Sequence, residues 1–274
     1  MSNRIPLREN IAGERTLAAV TEPPMRESRA AFPRWTRRRL HSPRVSVVIP
    51  THNEAENLPH VLPRVPSEVH ELIIVDGHSQ DDTPAVARRL RPRARIIMQD
   101  RRGKGNALAC GFRAATGDVI VALDADGSTD PVEIPRFVAA LQDGADYVKG
   151  SRYLEGGGST DLSGVRSLGN RSLGLLVNVL FRTQYTDLCY GYNAFWTDCI
   201  DIVYRECDGF EVETVLNVRA ARAGLRISEV PSFEHERIHG TSNLRPVRDG
   251  SRVLRTILRE RMDRTAAGLA ASPS

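Results

Sequence analysis

The sequence predicts an α/β protein with a mostly parallel central sheet and helices on both faces. Three observations carry this. First, "VSVVIP" (45–50), "ELIIVD" (71–76), "ARIIMQD" (94–100) and "DVIVALDAD" (118–126) are near-continuous apolar runs, as expected of strands buried on both faces. Second, segments of helical spacing separate them, so strand and helix alternate. Third, the chemistry-bearing residues collect where the strands end: Asn53 and Glu54, Asp76, then Asp124 and Asp126. In open α/β sheets that edge is where ligands bind.

Taken in order, residues 1–30 are polar, hold Pro23–Pro24 and show no sustained period, which predicts little order. "FPRWTRRRLHSPR" (32–44) sets Phe32, Trp35 and Leu40 among arginines, a composition that suits the surface of a bilayer. The folded domain is expected to begin at Val45. "NEAENLPHVLPRV" (53–65) reads as a helix with Asn53 as its cap. "DTPAVARRLR" (82–91) and "GKGNALACGFRAAT" (103–116) read as the next two helices. The folded domain is expected to divide into two halves, 45–131 and 132–250. In the second half "PRFVAALQDG" is a helix, "ADYVKGSRY" a strand, and "VRSLGNRSLGLLVNVLF" (165–181) a long amphipathic helix. "FEVETVLNVRAARAG" is a helix closed by Gly224, and "LRISEVPSFEHER" a strand interrupted by Pro231. Residues 251–274 predict a basic amphipathic helix and a disordered tail.

Charge is unevenly distributed. The net value is +4, yet residues 1–44 hold ten Arg against four Glu, and residues 245–264 seven Arg against three acids. Two readings stand: solvated tails, or attraction to an anionic membrane. Nucleic acid is not an expected partner, because the basic charge lies at the two ends of the chain. No run approaches the ~20 apolar residues of a membrane span, and the N-terminus lacks an apolar leader, so a cytoplasmic protein is expected. The four cysteines lack C-x-x-C spacing and read as reduced thiols. Nothing in the sequence sets an oligomeric state.

Asp124 and Asp126 follow the most apolar strand with one small residue between them. Like charges this close need a cation or an opposite charge nearby. "THNEAEN" after the first strand is neither G-x-G-x-x-G nor a Gly- and Arg-rich loop, which argues against a dinucleotide-dependent dehydrogenase and against a nucleotidyltransferase. Lys104, between Gly103 and Gly105, either meets phosphate at a helix start or only marks a glycine-rich helix entry.

Together "VSVVIPTHNEAENL", "IIVDGHSQDDT", "GKGNAL", "GDVIVALDAD", "VKGSRY", "DLCYGYNAF" and "SEVPSFEHERIHGTSN" resemble, in order, family 2 glycosyltransferases of the GT-A fold. The similarity is greatest to the dolichyl- and polyprenyl-phosphate mannose or glucose synthases. The resemblance implies a GT-A type, Rossmann-like sandwich, with 45–131 as its nucleotide-binding half and 132–250 as its acceptor-side half, and a metal-dependent, inverting hexosyl transfer. It implies Mg²⁺ or Mn²⁺ on Asp124 and Asp126, with Ser128 at the position of a further family ligand. Pro50, Asn53, Glu54, Asp76, Lys104 and Ala125 would contact a GDP-mannose or UDP-hexose donor, together with Arg152, Arg237 and Ser242. Arg152, Arg166 and Arg171 would meet the acceptor phosphate, and the catalytic set would be Asp124, Asp126, Arg237 and Asp187. Asp187 and Glu213 match acidic positions near the acceptor, and Asp187 stands as either a positioning group or a structural acceptor of hydrogen bonds.

Where the family reads V-D-D-G-S-x-D-x-T, this chain places Gly77 and His78. Asn243 replaces the lysine that usually follows the serine of R-x-x-G-x-S, and the family's S-G-F-R reads Tyr190-Gly191-Tyr192-Asn193. The acceptor implied is a polyprenyl phosphate at the membrane surface. A soluble acceptor is the first alternative, and a nucleotide-sugar-binding protein without turnover the second.

Overall fold

A computed structural model describes residues 42–241 and 245–263; Phe32, Trp35, most of the N-terminal arm and Ser242 lie outside the described residues. The strands are β1 (Val45–Thr51), β2 (Glu71–Asp76), β3 (Arg95–Met98), β4 (Val119–Ala122), β5 (Tyr147–Ser151), β6 (Gly158–Ser159), β7 (Asn193–Trp196), β8 (Ile227–Pro231) and β9 (Phe233–Glu234). The helices are α1 (Leu58–Val61), α2 (Thr83–Leu90), α3 (Lys104–Ala114), α4 (Ile134–Gln142), α5 (Gly164–Phe181), α6 (Ile200–Val203), α7 (Val212–Arg222) and α8 (Pro246–Met262). Seven strands form one sheet in the order β3-β2-β1-β4-β7-β5-β8, and β6 pairs with β9 in a second. In the large sheet β7 runs antiparallel to both β4 and β5, while the other pairs are parallel. The expected mostly parallel sheet with helices is present, and its two expected halves share one continuous sheet.

The period of two along β1 sorts its side chains into two cores. Val47 and Ile49 join Leu58, Leu62, Ile74, Val86, Phe137 and Leu141 on one face. Val48 joins Ile73, Leu108, Phe112, Ile120 and Leu216 on the other. A third cluster, Val177, Leu188, Val218, Val253 and Ile257, binds α5 and α8 to α7.

Three local expectations change. The helix expected at 53–65 shrinks to α1 and a 3-10 turn over Leu62–Arg64, because Pro59 and Pro63 remove donors and crowd the preceding turn. Asn53 does not cap it; its φ is 58° and its Oδ1 accepts from the Gln80 N–H at 2.7 Å. The fourth strand stops at Ala122, where the Thr129 hydroxyl accepts from the Asp124 N–H and donates to the Asp124 carbonyl, closing a loop through Gly127 at φ 84°. Strand β7 went unread because four residues give too little alternation to detect.

Register places the strand ends side by side, with Thr51 opposite Asp76 and Asp76 opposite Met98. The loops that leave this edge build the site.

Candidate active site

A cleft of about 1330 Å³ opens over the carboxyl ends of β1, β2 and β4. On one side the loops after β1 and β2 are tied together: the Asn53 N–H donates to Ser79 Oγ, and Glu54 N–H to Thr83 Oγ1. Asp76 is 1% exposed and accepts from the Ser79 N–H and hydroxyl at 3.0 and 2.6 Å. Its carboxylate thus shapes this loop from beneath. His52, Gln80 and Gln99 face the cleft there, along with Pro50 and Asn53. His78, where the family has glycine, holds a left-handed φ of 61°, a conformation costly to residues with a Cβ.

Asp124 and Asp126 stand on the cleft wall with buried Ala125 between them. Each is flanked by a different cation. Lys104 Nζ lies 2.6 Å from Asp124 and 2.7 Å from Glu213. Arg237 lies 3.4 Å from Asp126 and forks onto Glu54 at 2.8 and 3.1 Å. The like charges that follow the fourth strand are therefore offset by two cations approaching from different elements. Burial works against the Lys104 charge, but Asp124 and Glu213 outweigh it and hold its pKa above the ordinary value. Burial lifts Glu54 above the usual carboxylate value, only partly offset by Arg237 and Asn57. Arg237 Nε is buried without a partner among the described residues, so one donor of the guanidinium is left over.

The segment after β9 lies across this pair. His235 N–H donates to the Ser128 carbonyl and Ile238 N–H to the Asp126 carbonyl, while Asn57 exchanges two hydrogen bonds with the His239 backbone. Gly127 makes room for it, since a Cβ there would sit 2.5 Å from Ile238 Cδ1. The loop before β7 lines the cleft through Cys189, Tyr190 and Gly191, and a Cβ on Gly191 would lie 2.8 Å from Asp124 Oδ2 and 2.9 Å from Lys104 Nζ. Lys149, fully buried, fixes this loop from below by donating to the Tyr190 carbonyl at 2.6 Å.

The other expected residues divide between the cleft and its surroundings. The Gly-Lys-Gly glycines serve close packing: a Cβ on Gly103 would meet the Asp208 carbonyl at 1.9 Å, and one on Gly105 the Cys207 carbonyl at 2.4 Å. The Gly105 N–H already donates to the Asp208 carbonyl, and the Lys104 side chain faces the site. Arg152 touches the cleft but spends its guanidinium on Asp187 at 2.6 and 2.9 Å and on Glu234 at 2.9 Å. Asp187 is fully buried and also accepts from Asn170 at 2.9 Å. Burial alone would raise its pKa, yet the hydrogen bonds and charge of Arg152 hold it below the usual value. Its carboxylate is thus committed to Arg152 and Asn170 and is not part of the cleft lining. Arg166 lines the cleft and pairs with Asp161 at 2.7 Å. Arg171 instead stacks on Tyr153 at 5.0 Å, outside the lining.

Sequence reasoning missed Arg102, exposed at the cleft rim and paired with no acid among the described residues. The basic run "RRGKG" was its only signal. Phe210 was missed as well, a wall residue without a charge to mark it, and Tyr190, marked in the sequence only as a departure from the family motif, also lines the cleft.

The donor set suits a hard divalent cation. Asp124 and Asp126 offer carboxylate oxygens, one of which accepts from the Ser128 N–H at 3.0 Å. Among the described residues no cluster of three His, Cys, Asp or Glu is placed to hold a metal ion. A cation here would draw on phosphate and water for most of its ligands, a coordination habit of Mg²⁺.

The sequence model of glycosyl transferase family 2 matches residues 46–199. This chain belongs to that family. As a glycosyltransferase it is 34% identical over 216 residues to an undecaprenyl-phosphate mannosyltransferase of Micrococcus luteus, covering 73% of this chain and 87% of that protein. It is also 34% identical over 201 residues to an uncharacterized glycosyltransferase of Mycobacterium tuberculosis, covering 73% and 89%. Among solved structures, glucosyl-3-phosphoglycerate synthase of M. tuberculosis with Mn²⁺, UDP-glucose and phosphoglyceric acid gives a TM-score of 0.63 at 26% identity, over 80% of each chain. The glycosyltransferase therefore has the α/β fold of its GT-A neighbours.

Proposed function

We propose that this glycosyltransferase moves a hexose from a nucleotide sugar to a phosphate monoester, carried on a polyprenyl chain, with Mg²⁺ or Mn²⁺ held by Asp124 and Asp126. The observation that carries the proposal is the grouping of Asp124 and Asp126 with Lys104 and Arg237 in one cleft at the strand ends. The names of the M. luteus relative and of the M. tuberculosis synthase support a phosphorylated acceptor and a UDP-type donor.

When bound, the cation supplies charge neutralisation for a departing nucleoside diphosphate. The residues do the rest. The loops after β1 and β2, with Asn53, His52 and Gln80, receive the nucleoside end. Arg237 carries a cation beside Asp126 in the cleft lining, where its charge reaches the diphosphate. Arg102 and Arg166 on the rim attract the acceptor phosphate. An acceptor phosphate oxygen attacks the anomeric carbon from the face opposite the diphosphate. The new carbon–oxygen bond forms as the bond to the diphosphate breaks, and the electron pair leaves with the diphosphate. A phosphate monoester is largely ionised at neutral pH, so no general base is needed, and the burial of Asp187 is compatible with that.

A lipid-borne acceptor is favoured over a soluble one by the cleft wall. Beside Arg166 it is lined by Leu162, Val165, Leu173, Val247 and Val253, apolar surface that a small charged acceptor would leave unused. The experiment is a panel of nucleotide sugars, with Mg²⁺ or Mn²⁺, offered a prenyl phosphate, 3-phosphoglycerate and water. Transfer to the prenyl phosphate alone supports the proposal. Preference for 3-phosphoglycerate would replace it by a soluble-acceptor enzyme.

A further inference from the structure

We infer that the outer faces of α5 and α8 form one surface that seats on an anionic lipid bilayer, with the cleft mouth at its edge. The inference rests on the lipid-phosphate reading for its purpose, but its observations are separate. On α5, Val165, Leu168, Leu175 and Val179 are 65–79% exposed. At helical periodicity they fall on one side, opposite buried Asn170, Gly174 and Val177. The stripe spans fourteen steps of ~1.5 Å from Val165 to Val179, about 21 Å. On α8, Val247, Leu254, Leu258 and Met262 are 40–88% exposed. They recur on one face, with Arg248, Arg255 and Arg259 to one side and Arg261 to the other. The opposite face buries Asp249, Val253, Ile257 and Glu260. Both helices pack on the same cluster, Val177, Val218, Val253 and Ile257, so each stripe turns away from a shared core.

Charge selects the occupant. Helix α5 contains no acid at all, and the two acids of α8 are buried at 8% and 2% exposure. Arg171 stands beside the α5 stripe and Arg182 at its end. An apolar band with arginine on its flanks is what an interfacial helix presents to anionic lipid. A second copy on the same face would set arginine against arginine without a carboxylate to answer it. The stripes also meet the site: Val165 and Val247, in the first turns of α5 and α8, line the cleft as well. A prenyl chain whose phosphate reaches Arg166 would leave the cleft along these side chains and enter the bilayer directly.

The test uses the full chain in sedimentation with vesicles of phosphatidylcholine, with and without 30 mole per cent phosphatidylglycerol. The variant Leu168→Ser/Leu175→Ser/Val179→Ser removes three side chains that are exposed and do not line the cleft. Wild type should pellet with the anionic vesicles, and the triple variant should bind at least tenfold more weakly while melting at the wild-type temperature. Arg255→Gln/Arg259→Gln should lose the preference for anionic over neutral vesicles. Unchanged partitioning of both variants would overturn the inference. So would a lipid-free dimer that the triple variant converts to monomer, since a second copy would then occupy the face. Transfer to a short, water-soluble prenyl phosphate without vesicles separates the two claims. Its absence in wild type would sink the acceptor reading while leaving the docking surface, and its retention in the triple variant is expected.

Discussion

Asp187→Asn should unfold this enzyme more than it slows it. The carboxylate accepts from Arg152 Nε at 2.6 Å, Arg152 Nη2 at 2.9 Å, the Arg152 N–H at 3.2 Å and Asn170 Nδ2 at 2.9 Å. The side chains of Asp187 and Arg152 are 0% and 4% exposed. Removing the negative charge leaves the guanidinium with Glu234 alone, and breaking such a buried pair costs roughly 3–5 kcal/mol. For a domain of this size each kcal/mol moves the melting temperature by about 2–4 °C, so a fall of about 10 °C is expected. Calorimetry or urea denaturation measures it, beside turnover well below the new melting temperature. Residual turnover within about tenfold of wild type is predicted. A melting temperature within about 2 °C of wild type, combined with a loss of turnover beyond a hundredfold, would refute the reasoning and return Asp187 to direct contact with substrate.

Three further outcomes follow from the same geometry. Lys104→Met strands Glu213, whose side chain is 5% exposed, and should destabilise the fold by about 3 kcal/mol; Lys104→Met/Glu213→Gln should regain most of that, and absence of recovery in urea titrations would count against the pairing. Arg237→Ala should slow turnover by roughly a hundredfold, about 3 kcal/mol of barrier. Arg237→Lys should recover only part, because a lysine cannot fork onto Glu54 while donating to a phosphate; full recovery would show that a point charge suffices. Burial raises the pKa of Glu71, but hydrogen bonds from Ser46, Thr116 and Arg95 overcome this and hold it at about 2. Its unfolded value is higher, so its stabilisation is complete above about pH 5 and is lost as pH falls toward 2. Glu71→Gln should therefore flatten the acid limb of the stability curve, by about 1–2 kcal/mol after allowance for solvent screening, and an unchanged limb would exclude this role.

What the sequence revealed and what it hid divide by range. Strands β1, β2 and β4 and helices α3 and α5 were legible because burial on one or both faces leaves a local period. The Asp124–Asp126 pair was legible because charge after an apolar strand is itself a local anomaly. Partners were not legible. Arg237 and Glu54 lie 183 positions apart, and Arg152 and Asp187 lie 35 apart, so nothing local announces that each arginine is committed to a carboxylate. Arg152 and Asp187 therefore read as a phosphate contact and a positioning group, where the fold makes them a buried pair. Lys104 was noticed for its glycines, yet those glycines admit the 207–208 backbone, and only the fold shows its ammonium between Asp124 and Glu213.

The central claim is tested most directly by titrating Mg²⁺ or Mn²⁺ into the enzyme with a nucleotide sugar and a prenyl phosphate, for wild type and for Asp124→Asn and Asp126→Asn. The account predicts transfer that saturates with metal in wild type and is stopped by EDTA. Each variant should melt near the wild-type temperature and fall at least a hundredfold in turnover, about 3 kcal/mol of barrier. Undiminished transfer in EDTA, or near-normal turnover by either variant, would contradict it.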